Sequence, residues 1–124
     1  MQERAKETKR SPKLGGAAEV LGKIAGMVGS DRRMAGRLHA IVVEAAPDLE
    51  PRLWYGLPAY AKGGQVVCFF QDAKKFKARY ATLGFSDSAA LDESTVWPSA
   101  SALTDLDEGA ATRIAALVRR AVSR

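Results

Sequence analysis

The chain has 124 residues, of which 47% are hydrophobic and 27% are charged, and these proportions are typical of a soluble globular domain. Its only cysteine, Cys68, excludes an intramolecular disulfide. The aromatic-rich apolar run at residues 66–70 is too short to cross a bilayer, and no apolar run follows the N-terminal charges as it would in a signal peptide. We therefore expect a cytoplasmic protein that does not use a membrane.

The net charge of +5 is concentrated near the N-terminus, because residues 1–14 contribute +3 of it. This segment is polar and is followed by Gly15-Gly16, so we predict a disordered basic lead-in over residues 1–16. Residues 17–124 are predicted to form a single folded domain. A basic charge that lies mostly in a tail does not by itself indicate a nucleic-acid-binding protein.

Two helices are predicted before the first strand. In residues 17–28 apolar side chains recur at helical spacing, although Gly22 and Gly26 weaken the helix. A stronger helix is predicted from Asp31 to Ala46, with Ser30 as its N-cap and Asp31 favoured by the helix dipole. One apolar stripe supports it: Met34, Leu38, Ile41, Val42 and Ala45.

The pattern then changes to that of strands, which we predict at residues 52–55, 59–62, 66–70 and 76–83, with a short edge strand at 96–98. The segment from Trp54 to Tyr60 contains Gly56 and Pro58, which predict a bend between two strands. Gly63-Gly64 predicts a tight hairpin.

The remaining elements are short or helical. Ser86 is expected to cap a single helical turn through residue 91, and Asp105 with Glu108 predicts a capping box before a last helix that extends to Ala121. Helices at both ends and hairpin strands between them predict an α+β two-layer sandwich. Its antiparallel sheet would be covered on one face by the N- and C-terminal helices.

No catalytic motif occurs in the sequence, so we expect a protein that is not an enzyme. His39 is interpreted as a surface residue and Cys68 as a packing residue in a strand. Asp92 and Glu93, beside Trp97, are the weak candidates for a metal site or a catalytic pair.

Aromatic residues near the bends predict a ligand cleft, because ligands prefer apolar concavities with a few polar groups. Lys75 and Arg79 would supply positive charge for an anionic group. The predicted cleft residues are Trp54, Tyr55, Tyr60, Lys75, Arg79 and Trp97.

Residues 74–80 interleave cations with aromatic rings, as nucleic-acid-binding surfaces can. On a strand, however, Phe76 and Tyr80 would face away from Lys77 and Arg79. We therefore interpret the segment as a buried face backed by a solvated one, and do not expect nucleic acid as the main partner.

Four ordered blocks of this sequence resemble a known family: residues 54–60 (WYGLPAY), 66–70 (VVCFF), 75–85 (KFKARYATLGF) and 97–98 (WP). Over about residues 17–123 the chain looks like the YdhG-like domain of unknown function. The resemblance implies a secretion-chaperone-like or frataxin-like fold. It also implies iron as a cofactor or cargo, since some relatives are described as intracellular iron chaperones.

Together these features predict a small, non-catalytic binding domain for iron or another small ligand, acting as a monomer or homodimer. The alternative is an interaction module that uses the sheet face and the basic tail to bind a protein or nucleic acid. Salt dependence separates the two, because phosphate-driven binding weakens steeply with salt.

Overall fold

The computed structural model describes residues 12–123, which form three helices and five strands. The helices are α1 (Pro12–Ala25), α2 (Gly29–Ala45) and α3 (Glu108–Ala121). The strands are β1 (Glu50–Trp54), β2 (Leu57–Lys62), β3 (Gln65–Gln71), β4 (Ala81–Phe85) and β5 (Ala100–Leu103). The predicted α+β class is confirmed. Within the described residues no helix is both long and apolar enough to cross a bilayer.

The five strands form an antiparallel meander in the order β1-β2-β3-β4-β5. Tyr55 and Gly56 connect β1 to β2, and Gly63 and Gly64 connect β2 to β3; all four have positive φ, as the two-residue primed turn requires. The Gly63-Gly64 hairpin is thereby confirmed. The predicted bend near Gly56 is a hairpin turn, and Pro58 lies within β2, just before the first residue that pairs with β3.

The helices pack on one face of the sheet around a continuous apolar core. Tyr60, Phe70 and Leu83 contribute its largest fully buried sheet side chains, and Leu38, Val42 and Val118 meet them from α2 and α3. Gly16 on α1 lies so close to the carbonyl oxygen of Pro51 that a Cβ would collide with it. This contact sets α1 directly against β1.

Several boundaries differ from the sequence-based prediction. Helix α1 begins at Pro12 rather than at residue 17, so the disordered lead-in predicted over residues 1–16 is wrong for residues 12–16. Its first part, residues 1–11, lies outside the described residues. The N-cap of α2 is Val28 rather than Ser30, and that of α3 is Asp107, whose carboxylate accepts from the N–H of Ala110 at 2.9 Å. The predicted capping box starting at Asp105 is therefore wrong by two residues.

The largest error concerns the predicted strand at residues 76–83. Residues 72–80 are instead an irregular connection between β3 and β4, in which Lys77 has positive φ, and the strand begins only at Ala81. The predicted edge strand at residues 96–98 is also absent, since β5 begins at Ala100. Residues after Ser86 form a turn rather than a capped helical turn.

Candidate functional site

The residues of the predicted cleft lie in three different places. Tyr60 is only 1% exposed and points to the helix face, where its hydroxyl is 3.0 Å from Nδ1 of His39. Burial raises the pKa of Tyr60, with a smaller contribution from Cys68, and burial lowers the pKa of His39. Tyr60 is thus part of the core and does not line an accessible cleft.

Trp97 lies far from the other predicted residues along the sheet. Trp97 belongs to the connection between β4 and β5, which lies at the end of the sheet where β4 ends. Two backbone hydrogen bonds hold this connection there, from the N–H of Phe85 to the carbonyl of Ser99 and from the N–H of Ala90 to the carbonyl of Ala121. Because neighbouring strands are antiparallel, this is the end opposite to the β1–β2 turn. Trp97 is 40% exposed there, well separated from Tyr55.

Three of the predicted cleft residues do lie close together, at the end of the sheet that carries the β1–β2 turn and the β3–β4 connection. They are Trp54, Tyr55 and Lys75. Tyr55 is 83% exposed at the tip of the hairpin, with its ring centre 4.8 Å from that of Trp54. Trp54 in turn packs on Phe69, on the face of the sheet opposite the helices. The Lys75 Nζ lies 3.2 Å from the position that a Cβ on Gly56 would occupy.

A buried aspartate on α2 fixes the β3–β4 connection at this end. The two carboxylate oxygens of Asp31 accept hydrogen bonds from the backbone N–H groups of Ala73 and Lys74, at 3.0 Å each. The sequence suggested only a helix-dipole role for Asp31. Its actual partners lie more than forty residues away, and charge-assisted bonds of this kind are among the strongest in proteins. The connection therefore has a defined shape although it has no regular structure.

Positive charge accumulates around this fixed connection, in an area that we call the basic end. Lys74, Lys75, Lys77 and Arg79 belong to the connection itself. Lys23 lines the same cavity as Lys74 and Lys75. Within residues 12–123 none of these cations forms a salt bridge. The basic end consists of Lys23, Lys74, Lys75, Lys77 and Arg79.

Two exposed aromatic rings accompany these cations. Phe76 is 48% exposed, and the Lys75 Nζ lies 5.8 Å from the centre of its ring. Tyr55 stands on the neighbouring hairpin. The Arg79 guanidinium lies 5.4 Å from the half-buried ring of Tyr80. Exposed rings beside cations that pair with no carboxylate of the described residues are a combination that a polyanion with flat groups can bind.

A cavity of about 480 Å³ opens at the basic end, between the C-terminal part of α1 and the β3–β4 connection. Gly22 and Gly26 form one wall, Met27 and Val28 contribute apolar surface, and Asp72 lines it with the three nearby lysines. Asp72 is only 9% exposed; its Oδ2 accepts from the Lys75 N–H at 3.3 Å. Its buried Oδ1 has no hydrogen-bond partner among the described residues.

The other candidate residues do not form a site. Glu93 pairs with Arg120 at 3.2 Å, and within residues 12–123 no group of three potential metal ligands from His, Cys, Asp and Glu is present. Cys68 is fully buried, and burial raises its pKa to about 12, which suppresses the reactive thiolate.

Comparisons of the chain with protein-family models, with curated proteins and with solved structures found no match. The resemblance to the YdhG-like domain therefore stays a prediction.

Proposed function

We propose that this protein is a non-catalytic binding protein for single-stranded nucleic acid, which it contacts through the basic end. The observation that carries the proposal is a set of cations that form no salt bridge with any carboxylate of residues 12–123 and lie beside the exposed rings of Tyr55 and Phe76. Phosphates supply the complementary charge, and unpaired bases supply flat faces that stack on aromatic rings.

The sequence argued against nucleic acid because a strand would separate the rings of residues 74–80 from the cations. The structure removes that reason, since these residues lie in a connection where Lys74, Lys75, Phe76 and Lys77 are all exposed. Rings and charges are therefore available to one ligand at the same time.

A single strand fits the basic end better than a duplex does. Stacking on Tyr55 or Phe76 needs a base that is free of its partner, whereas duplex readout needs a helix or ribbon that enters a groove. The rings lie on a hairpin tip and on an irregular connection. The hairpin is not a free ribbon, because β2 also pairs with β3, and the connection contains no helix.

The direct test is binding of the full chain to a labelled single strand of about 12 nucleotides, followed by fluorescence anisotropy between about 50 and 200 mM salt. We expect saturable binding that weakens steeply with salt, with a slope of about 0.7 in log affinity per phosphate contacted. Binding that ignores salt, or no binding at low salt, would overturn the proposal. Anionic vesicles serve as the competing polyanion, and preference for them would also overturn it.

Two substitutions locate the surface. Lys74→Gln should reduce the salt slope by about 0.7, because one phosphate contact is lost. Arg119→Gln makes the same charge change on the exposed face of α3, far from the basic end, and should leave the slope unchanged. Equal effects of the two variants would indicate attraction to net charge alone rather than to this surface.

A further inference from the structure

The cavity at the basic end contains one feature that the proposed function does not require. Asp72 is 9% exposed and lines the cavity, and its Oδ1 is buried without a hydrogen-bond partner among the described residues. Leaving a buried acceptor without a donor is costly, and the cost is larger for a charged group than for a neutral one. A ligand that brings a donor to this oxygen would remove that cost.

The surroundings of Asp72 restrict the ligand further. Lys23, Lys74 and Lys75 line the cavity, so a ligand that reaches Asp72 should also carry negative charge towards the lysines. The wall formed by Gly22 and Gly26 has no side chains, and Met27 and Val28 add apolar contacts. A flat group fits against such a wall. The cavity therefore suits a ligand with a flat ring, N–H donors on one edge of that ring for Asp72, and a phosphate group that can reach the lysines.

We propose that the cavity binds a guanine nucleotide, either free or within a single strand, with the N1–H and 2-amino groups of the base donating to Asp72. This inference rests on the proposed function and names the base that the surface prefers. The other common bases offer a less suitable edge, because adenine, cytosine and uracil each place an acceptor beside their donor. A carboxylate can only accept when ionised, so that acceptor would face it unfavourably.

A donor reaches the Oδ1 of Asp72 only after neighbouring atoms move aside. The Oδ1 is covered, but Lys74 and Lys75 are exposed and neither forms an ion pair with a described residue. Their ammonium groups are therefore available to the phosphate of the ligand. The cavity volume of about 480 Å³ accommodates a ligand of this size, within the usual range for small-molecule sites.

The first experiment compares free nucleotides on the full chain by calorimetry and amide chemical shifts. Guanosine monophosphate should bind with shifts at residues 22–28 and 72–75. Inosine monophosphate, which lacks the 2-amino group, should bind about tenfold more weakly, and adenosine monophosphate more weakly still. Equal affinity for all three would refute the base preference, and a water molecule held by Asp72 would then be the simpler explanation of its free oxygen.

The second experiment places a single guanine or a single adenine within an otherwise identical thymine strand. A preference for the guanine strand together with binding of free guanosine monophosphate indicates that the base itself is recognised from either source. Equal affinity for the guanine and the adenine oligonucleotide would refute the base preference but leave the proposed function intact. Strands that fail to bind at all refute both.

Two variants connect the preference to the cavity. Asp72→Asn keeps the shape of the side chain but removes its charge, and should abolish the preference for guanine. Gly22→Leu adds a side chain at the cavity wall without a backbone collision, because a Cβ at Gly22 meets no atom within 4 Å. Gly36→Leu is the matched control: it is also a helical glycine with open space around its Cβ, but it lies on α2 and does not line the cavity. Gly22→Leu should weaken nucleotide binding about tenfold or more, and Gly36→Leu should leave it unchanged. Equal binding by both would refute the site even if Asp72→Asn fails to fold.

Discussion

Replacing Asp31 by alanine tests the link between the helix layer and the basic end. The substitution leaves the N–H groups of Ala73 and Lys74 without their carboxylate acceptor. Each hydrogen bond to a charged group contributes about 1.5–3 kcal/mol, so the pair contributes about 3–6 kcal/mol. Water can reach part of this area because Lys74 is exposed and Ala73 is half-buried, so we expect a net loss of about 3 kcal/mol in the free energy of unfolding.

Urea unfolding gives the loss directly, and amide hydrogen exchange locates it. Asp31→Asn retains one acceptor oxygen and should lose about half as much stability. Asp87→Ala, at an exposed carboxylate, is the control and should stay within about 0.5 kcal/mol of the parent protein. A loss below about 1 kcal/mol for Asp31→Ala, with unchanged exchange at Ala73 and Lys74, would refute the anchoring role.

The same variant distinguishes two explanations of nucleic-acid binding. Asp31→Ala removes a negative charge close to the basic end, so attraction by charge alone predicts tighter binding. If the fixed shape of the β3–β4 connection matters, binding should become weaker, because the released segment must be ordered again on binding. We expect weaker binding to the single strand. Tighter binding would show that the connection acts only as a carrier of charge.

Three further predictions concern the core and the sheet. Burial lowers the pKa of His39 from 6.5, so the unfolded chain binds a proton more readily than the folded one, and the free energy of unfolding should fall as the pH drops below about 6.5. Between about pH 7.5 and pH 5.5 the His39→Gln variant should lose less stability than the parent protein. The same pH dependence in both proteins would contradict this. Gly84→Ala should lower the free energy of unfolding by about 1–3 kcal/mol, because the added Cβ would collide with the ring of Phe69. Adding Phe69→Leu should recover part of that loss, and additive effects of the two substitutions would contradict the collision. Burial raises the pKa of Cys68 to about 12, so near pH 8 its thiol should react with a thiol reagent only as fast as the protein unfolds. Stopped-flow absorbance measures the rate of this reaction, and a rapid reaction of the native protein would contradict the burial of Cys68.

Local sequence signals predicted the regular parts of the fold. The Gly63-Gly64 turn and the apolar run of β3 depend on neighbouring residues, and both predictions are confirmed. Residues 76–80 also alternate between rings and cations, yet they are not a strand. Local alternation does not reveal that Asp31 holds the preceding residues in another conformation, since that contact joins distant parts of the chain.

The candidate site was predictable only in part, for a related reason. Aromatic residues beside a bend include both core and surface residues, and the sequence does not separate Tyr60, on the helix side of β2, from Tyr55 at the hairpin tip. Side chains alternate between the two faces of a sheet along a strand, so the position of the turn decides which face a given residue occupies. Asp72 follows β3 and resembles an ordinary turn residue. Only the folded structure shows that Asp72 lines a cavity beside α1 and that one of its oxygens has no hydrogen-bond partner among residues 12–123.

The open meander has a consequence for how molecules of this protein meet one another. Its two outermost strands, β1 and β5, each leave one row of backbone groups unpaired within the sheet, and such rows can recruit a second chain into a growing aggregate. Strand β1 contains Pro51, which lacks an N–H, and α1 packs against it at Gly16. Strand β5 has only four residues. Both borders are therefore poor templates for a further strand, and we expect concentrated solutions of the protein to resist fibril formation.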